Sequence, residues 1–238
     1  MYRTQVGRVI QDPETADALM PRDYPMGCKR PVIDTNYYET FNRANVTLVD
    51  LRKGGIDRIT AQGVSTAQGE HAFDVLVYAT GFDAMTGALG KIDIRGRQDV
   101  ALTDYWEAGP RTYLGLQVAG FPNLFTVTGP GSPSVLSNMI VSIEQHIDWI
   151  AQCIADLDQR GAKTIEATSA AEDAWIAHVN EVAENTMFTA QSCNSWYLGA
   201  NIPGKPRIFM PYVGGVGVYR EKCDEVAKND YEGFLLQA

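Results

Sequence analysis

The chain has 238 residues, 45% hydrophobic and 21% charged, an ordinary globular balance with enough length to bury a sizeable core. Its 29 Asp+Glu against 20 Lys+Arg leave a net charge of −9, which argues against nucleic acid, whose binders need a basic footprint. No apolar run approaches the ~20 residues of a membrane span, no secretory leader follows Met1, and Cys28, Cys153, Cys193 and Cys223 show no CxxC or zinc spacing, so scattered free thiols in a reducing cytoplasm and no metal site are expected.

TQVGRVIQDPETADALM has helical spacing at Val6, Val9 and Ile10, and Pro13 interrupts it, with Asp12 or Glu14 placed to start a second short helix. PRDYPMGCKR (21–30) is turn-rich. PVID (31–34) and NVTLVDL (45–51) read as strands, followed by short strands at IDRIT, GVST and HAF. DVLVYAT (74–80) is a continuous apolar run of the type buried in a parallel sheet. RTYLGLQVA (111–119) and NLFTVT (123–128) are two more strand candidates. From Ser137 to Leu157 apolar residues recur at helical spacing (Ile140, Ile143, Ile147, Ile150, Ile154, Leu157), and Gly161 follows as a stop. A second helix over 169–187 starts from a serine cap with acids in its first turn. The tail from Ala190 is rich in Gly, Pro and aromatics, too apolar for disorder. The sum is mixed α/β around a parallel sheet.

A phosphate-cradling GxGxxG is absent. Gly129-Pro130-Gly131-Ser132-Pro133-Ser134 lies between a predicted strand and a predicted helix, but two prolines spoil the amide row that would hold a pyrophosphate. What remains is a loop delivering a helix N-terminus, which favours negative charge; an ordinary strand–loop–helix connection explains it equally well. The 74–80 run ends in Ala79-Thr80-Gly81-Phe82-Asp83, where small residues would let backbone approach a cofactor.

Four stretches together resemble one family. They are CKRPVID (28–34) with NYYETFNRANVTLVD behind it, the ATGFDA segment, residues 111–149 from RTYLGLQVAGF to QHIDW, and NSWYLGANIPGKPRIFMPYVGG (194–215). In order and content they are similar to Baeyer–Villiger monooxygenases, most of all to the phenylacetone monooxygenase branch. The resemblance implies an α/β, Rossmann-like fold with two dinucleotide-binding domains, of which this would be the C-terminal part. Residues 1–27 would finish a helical insert, 28–73 the NADPH domain and 74–238 the FAD domain. It further implies FAD and NADPH as cofactors, and O2 and a ketone as substrates, the ketone becoming an ester or lactone through a C4a-peroxyflavin.

Site residues follow from the same resemblance. Arg30 matches the catalytic arginine, whose permanent charge suits an anionic oxidant that must stay unprotonated. Lys29 matches the cation for the 2′-phosphate of NADPH. Trp196 matches the tryptophan that reaches the nicotinamide ribose, and Thr80 and Gly81 fall beside a cofactor. Ser134, Val135, Leu136 and Met139 lie in the loop placed against flavin and substrate, although the start of a core helix would also explain them. His71, His146 and His178 have no partner at catalytic spacing and read as surface or satisfied core histidines. The family's two glycine fingerprints are absent, so the resemblance also implies a missing N-terminal half as the chain's partner and an inactive chain in isolation. An N- or S-oxygenating flavin monooxygenase and a non-catalytic fragment are the competing readings.

Overall fold

Two short helices, α1 (Tyr2–Val9) and α2 (Pro13–Leu19), open the computed structural model, which describes residues 2–238. The Asp12 carboxylate caps α2 by accepting the Thr15 N–H at 2.8 Å, and Pro13 fills the first helical position, where no N–H is missed. Val6, Ile10 and Ala16 form a small core with Leu19, Met20 and Tyr38, the last of these on α3 (Tyr37–Thr40). Asn42 fastens it, accepting from Gln11 N and donating to Val9 O, each at 2.8 Å. Strands β1 (Ile56–Ile59), β2 (Gly63–Thr66) and β3 (Gly69–Ala72) follow as an antiparallel meander in the order β1-β2-β3. The chain up to Tyr24 and Arg30–Gly81 make up one compact unit; Pro25–Lys29 and Phe82–Ala238 make up a second.

Three expected strands do not form. Residues 31–34, 45–51 and 74–80 are all irregular. In the last of these Val75, Val77 and Tyr78 are 77%, 78% and 68% exposed. A run that is apolar on both faces becomes a strand only when neighbours pair its amides and cover both faces. The described residues supply neither. Every strand pair among them is antiparallel, so the parallel sheet expected at the core is not there.

The second unit is organised by helices. Leu102, at the start of α4 (Leu102–Tyr105), joins Trp106, Val118 and Phe121 in a satellite cluster. Residues 111–128 make isolated bridges, Tyr113 with Gln117 and Gln117 with Phe125, instead of two strands. The predicted long helix is α5 (Met139–Arg160). Its N-cap is Asn138, which accepts the Ile140 N–H at 3.0 Å, and Gly161 ends it at φ +65, a left-handed turn that suits glycine. Its buried face differs from the expected one. Gln145, His146, Trp149, Cys153 and Leu157 point inward, while Ile140, Ile147 and Ile154 are at least half exposed.

Strand β4 (Thr164–Ala167) then leads into α6 (Ser169–Glu184), capped by Thr168 and not by Ser169. Neither α7 (Val216–Lys228) nor β5 (Phe234–Gln237) was expected in the tail; β5 pairs antiparallel with β4. Trp149, Trp175, Tyr197, Tyr212, Tyr219 and Phe234 are among the large side chains of the resulting core. Both tryptophan donors are paired: Trp149 donates to Cys223 O at 2.9 Å and Trp175 to Gly131 O at 3.1 Å. The fully buried Glu172 accepts from Tyr105 Oη, Arg111 Nε and Ala119 N, as a buried carboxylate must. No described helix is long and apolar enough to cross a membrane.

Candidate functional site

In the second unit, the stretch that would deliver Ser134–Leu136 is fixed from behind by a buried histidine. Thr128 sits at φ +54, an unfavourable region for a β-branched residue, just before the Gly-Pro-Gly turn. His146, fully buried on α5, accepts the Thr128 N–H on Nδ1 at 2.9 Å. Its Nε2 lies 2.9 Å from Tyr219 Oη, which donates to Leu114 O at 2.6 Å. With Nδ1 accepting and the tyrosine hydrogen spent, the imidazole is neutral with its proton on Nε2. Burial pushes its pKa down to about 4, and no described anion offsets it. His146 is thus a satisfied core residue, as the sequence implied, with a structural duty that spacing did not reveal.

The turn itself has no free row of amides. Gly131 N donates to Met210 O at 2.6 Å and Ser132 N to Gly129 O at 3.1 Å, while Pro130 and Pro133 have no N–H. The structure agrees that 129–134 cannot cradle a pyrophosphate. Ser134 is buried at φ +39, with Oγ 3.6 Å from Met85 Sδ and 3.9 Å from Met139 Sδ. Val135 and Leu136 are half-buried and complete a single helical turn, and Met139 opens α5. Ser137 Oγ donates to Ser134 O at 2.9 Å and lies 2.6 Å from Ser142 Oγ, which ties the turn to the helix. Leu136 and Ser137 border a cavity of about 180 Å³ with Phe188, Tyr212, Val213 and Val216. None of the last four was singled out from sequence: Phe188 falls between the predicted helix and the tail, and Tyr212, Val213 and Val216 lie in the aperiodic tail.

The signature segments of this unit are also joined. Lys205, in the 194–215 stretch, forms an ion pair with Asp83, two residues past Gly81 in the ATGFD motif. Trp196 begins a short helical turn in which the Ser195 hydroxyl accepts the Tyr197 N–H at 3.2 Å. Its ring meets Tyr197 edge-on at 4.4 Å, and its indole N–H finds no acceptor among the described residues. Lys29 is half-buried in the same unit. The adjoining Cys28 is disulfide-bonded to Cys193, with Cα atoms 6.0 Å apart, and both side chains are fully buried. This corrects the expectation of scattered free thiols: pairing across 165 residues leaves no local spacing to read. Cys153 and Cys223 are free, and burial lifts their thiols to about 11 and 12, which leaves both inert.

Arg30, Thr80 and Gly81 belong to the first unit, and all three are exposed. Gly81 has φ +83, and a Cβ built there would touch nothing within 4 Å. That glycine leaves open space beside its backbone, whereas the 129–134 turn presents no row of free amides for a pyrophosphate. Among the described residues no group of His, Cys, Asp or Glu is placed to hold a metal ion.

Known proteins match this arrangement along nearly its whole length. Acetone monooxygenase (methyl acetate-forming) from Gordonia sp. (strain TY-5) is 46% identical over 95% of the chain, which spans 43% of that protein. A Baeyer–Villiger monooxygenase from Pseudooceanicola batsensis is 39% identical over 97% of the chain and 42% of its own length. A crystal structure of OTEMO in complex with FAD and NADP superposes with a TM-score of 0.92 at 40% identity, over 98% of this chain and 43% of that one. The chain is homologous to the C-terminal portion of Baeyer–Villiger monooxygenases. It spans less than half the length of these relatives, and no family model matches it. A phenazine N-monooxygenase from Lysobacter antibioticus is similar as well, at 43% identity over 99% of the chain and 43% of its own length.

Proposed function

We propose that this chain is the C-terminal portion of a Baeyer–Villiger monooxygenase that uses FAD, NADPH and O2 to convert a ketone to an ester or lactone. The observation that carries the proposal is similarity over 95% of the chain to acetone monooxygenase, taken together with the Lys29-Arg30 pair, the Ala79-Thr80-Gly81 segment and Trp196 in the sequence. When bound and reduced, FAD supplies the activated oxygen. The protein's own part is positional. Arg30 would hold a permanent positive charge beside the developing anion without giving up a proton. Lys29 would meet the 2′-phosphate of NADPH as a point charge. Trp196 would offer its unspent indole N–H to the nucleotide ribose, Thr80 and Gly81 would give cofactor close access to backbone, and Ser134, Val135, Leu136 and Met139 would border flavin and ketone. Residues 1–27, 28–73 and 74–238 would then complete a helical insert, the NADPH domain and the FAD domain. The cytoplasm is the proposed location, with the N-terminal half of the same protein as the chain's partner.

Arg30→Ala in the full-length protein tests this reading. Ester formation from a ketone should fall below detection while NADPH still reduces the flavin, since hydride transfer does not need Arg30. Ester formation at the parent rate would remove Arg30 from the chemistry. N-oxygenation is a second reading, favoured by the similarity to the phenazine N-monooxygenase. Product analysis with a ketone, a thioether and an aromatic N-heterocycle separates the two.

A further inference from the structure

The segment Pro25–Lys29 packs with the second unit although the chain on both sides of it belongs to the first. Of its five residues only Cys28 is buried, and Cys28 is bonded to Cys193, three residues before Trp196. The local hydrogen bond of Cys28, its N–H to Pro25 O at 3.3 Å, stays within the segment. We propose that the Cys28–Cys193 bond is a thiol-sensitive tether that fixes the stretch bearing Lys29 to the stretch bearing Trp196. The part of this that concerns nucleotide affinity rests on the roles proposed above; the tether itself does not.

Two observations support a functional bond over an incidental one. It joins the residues flanking two nucleotide-site candidates, whereas Cys153 and Cys223 lie in the core and are unpaired. It supplies the buried anchor of a segment that is otherwise half-buried or exposed. In a reducing compartment, disulfides are mostly transient and redox-sensing. Formation consumes two cysteine thiols and a small-molecule disulfide, which accepts two electrons and leaves as two thiols; a dithiol reverses the exchange. Because both sulfurs are buried, exchange requires the 25–29 segment to lift. The tether is therefore slow to reduce while nucleotide holds Lys29 in place.

Two measurements on the full-length protein decide the matter. Protein purified without reductant is alkylated under denaturing conditions and digested without reduction. One cross-linked peptide pair containing Cys28 and Cys193 is expected, with alkyl groups on Cys153 and Cys223. Separate alkylation of Cys28 and Cys193 after treatment with oxidised glutathione would overturn the tether. Hydrogen exchange and NADPH titration then compare the parent with Cys193→Ser and Cys28→Ser. Amides of 25–29 should exchange at least tenfold faster in both variants, and the NADPH dissociation constant should rise three- to tenfold at unchanged FAD content. Unchanged exchange in both variants would sink the proposal. Faster exchange with no NADPH binding even in the parent would keep the tether and reject the nucleotide roles.

Discussion

Helix α5 and the 74–80 run are both strongly apolar, yet only one of them forms its element from what this chain contains. The helix satisfies its own backbone, takes a cap from Asn138 and a stop from Gly161, and needs neighbours only for its buried face. The run at 74–80 has to borrow every hydrogen bond from an adjacent strand, and it lies exposed from Val75 to Phe82. Even α5 shows the same dependence in part, because Ile140, Ile147 and Ile154 form an exposed stripe seven residues apart, behind a well-packed inner face. A helix closes its own backbone hydrogen bonds, whereas a strand forms only where a neighbour supplies them, as β5 does for β4.

The largest effect should come from supplying what the run lacks. Expressed alone, residues 1–238 should keep the circular dichroism of α5, α6 and α7 but bind a hydrophobic dye and fail to retain FAD through gel filtration. Co-expression with the N-terminal half of a close relative should lower dye binding and restore flavin. A yellow, monodisperse preparation of the chain alone would show that the exposed run finds its cover within these residues.

Next in size is a change inside the part that folds on local terms. Trp149 is buried against Tyr231 and Phe234 and donates to Cys223 O. In the full-length protein Trp149→Ala should cost about 3–5 kcal/mol, read as a lower denaturant midpoint with helical signal lost from α5 and α7 together. Val77→Ser should cost under about 1 kcal/mol in the isolated chain, where the side chain is already exposed, and several-fold more once the other half is present. Equal costs in the two settings would break the comparison.

What could be read from sequence follows the same division. Asp12, Gly161 and the short strands β1–β3 announce themselves within a few positions. So do the Lys29-Arg30 pair and the ATGFD and NSWYLGANIPGK stretches, which carry the resemblance. Strand β4 escaped because its partner β5 lies about 70 residues away in the same two-stranded ladder. Helix α7 was hidden by Gly215 at its cap and Gly217 in its first turn, which read as loop. The Cys28–Cys193 bond and the cavity neighbours Phe188, Tyr212, Val213 and Val216 are products of tertiary packing alone.

A further effect, smaller than that of Trp149→Ala, concerns His146, where a local element and a long-range one meet. Its folded pKa of about 4 lies below the ordinary histidine value because burial disfavours the cation. The unfolded chain therefore binds the proton more readily, and stability is lost as pH falls through the unfolded pKa, saturating only near the folded one. Between pH 7 and pH 5 this amounts to about 2 kcal/mol, in a window above most carboxylate titrations. Partial burial lowers His178 too, with Lys222 nearby, so it adds a loss of the same sign. His146→Gln keeps an acceptor for Thr128 N–H and removes the titration. Its full-length protein should start somewhat less stable at pH 7 and show a shallower fall in melting temperature toward pH 5 than the parent. Because the histidine holds Thr128 at φ +54, the parent should also lose its ketone preference at pH 5 before it unfolds, read as a rise in KM with kcat held. Parallel pH curves for the two proteins would show that His146 is not the group that titrates, and that the turn before Ser134 is held by its prolines and glycines alone.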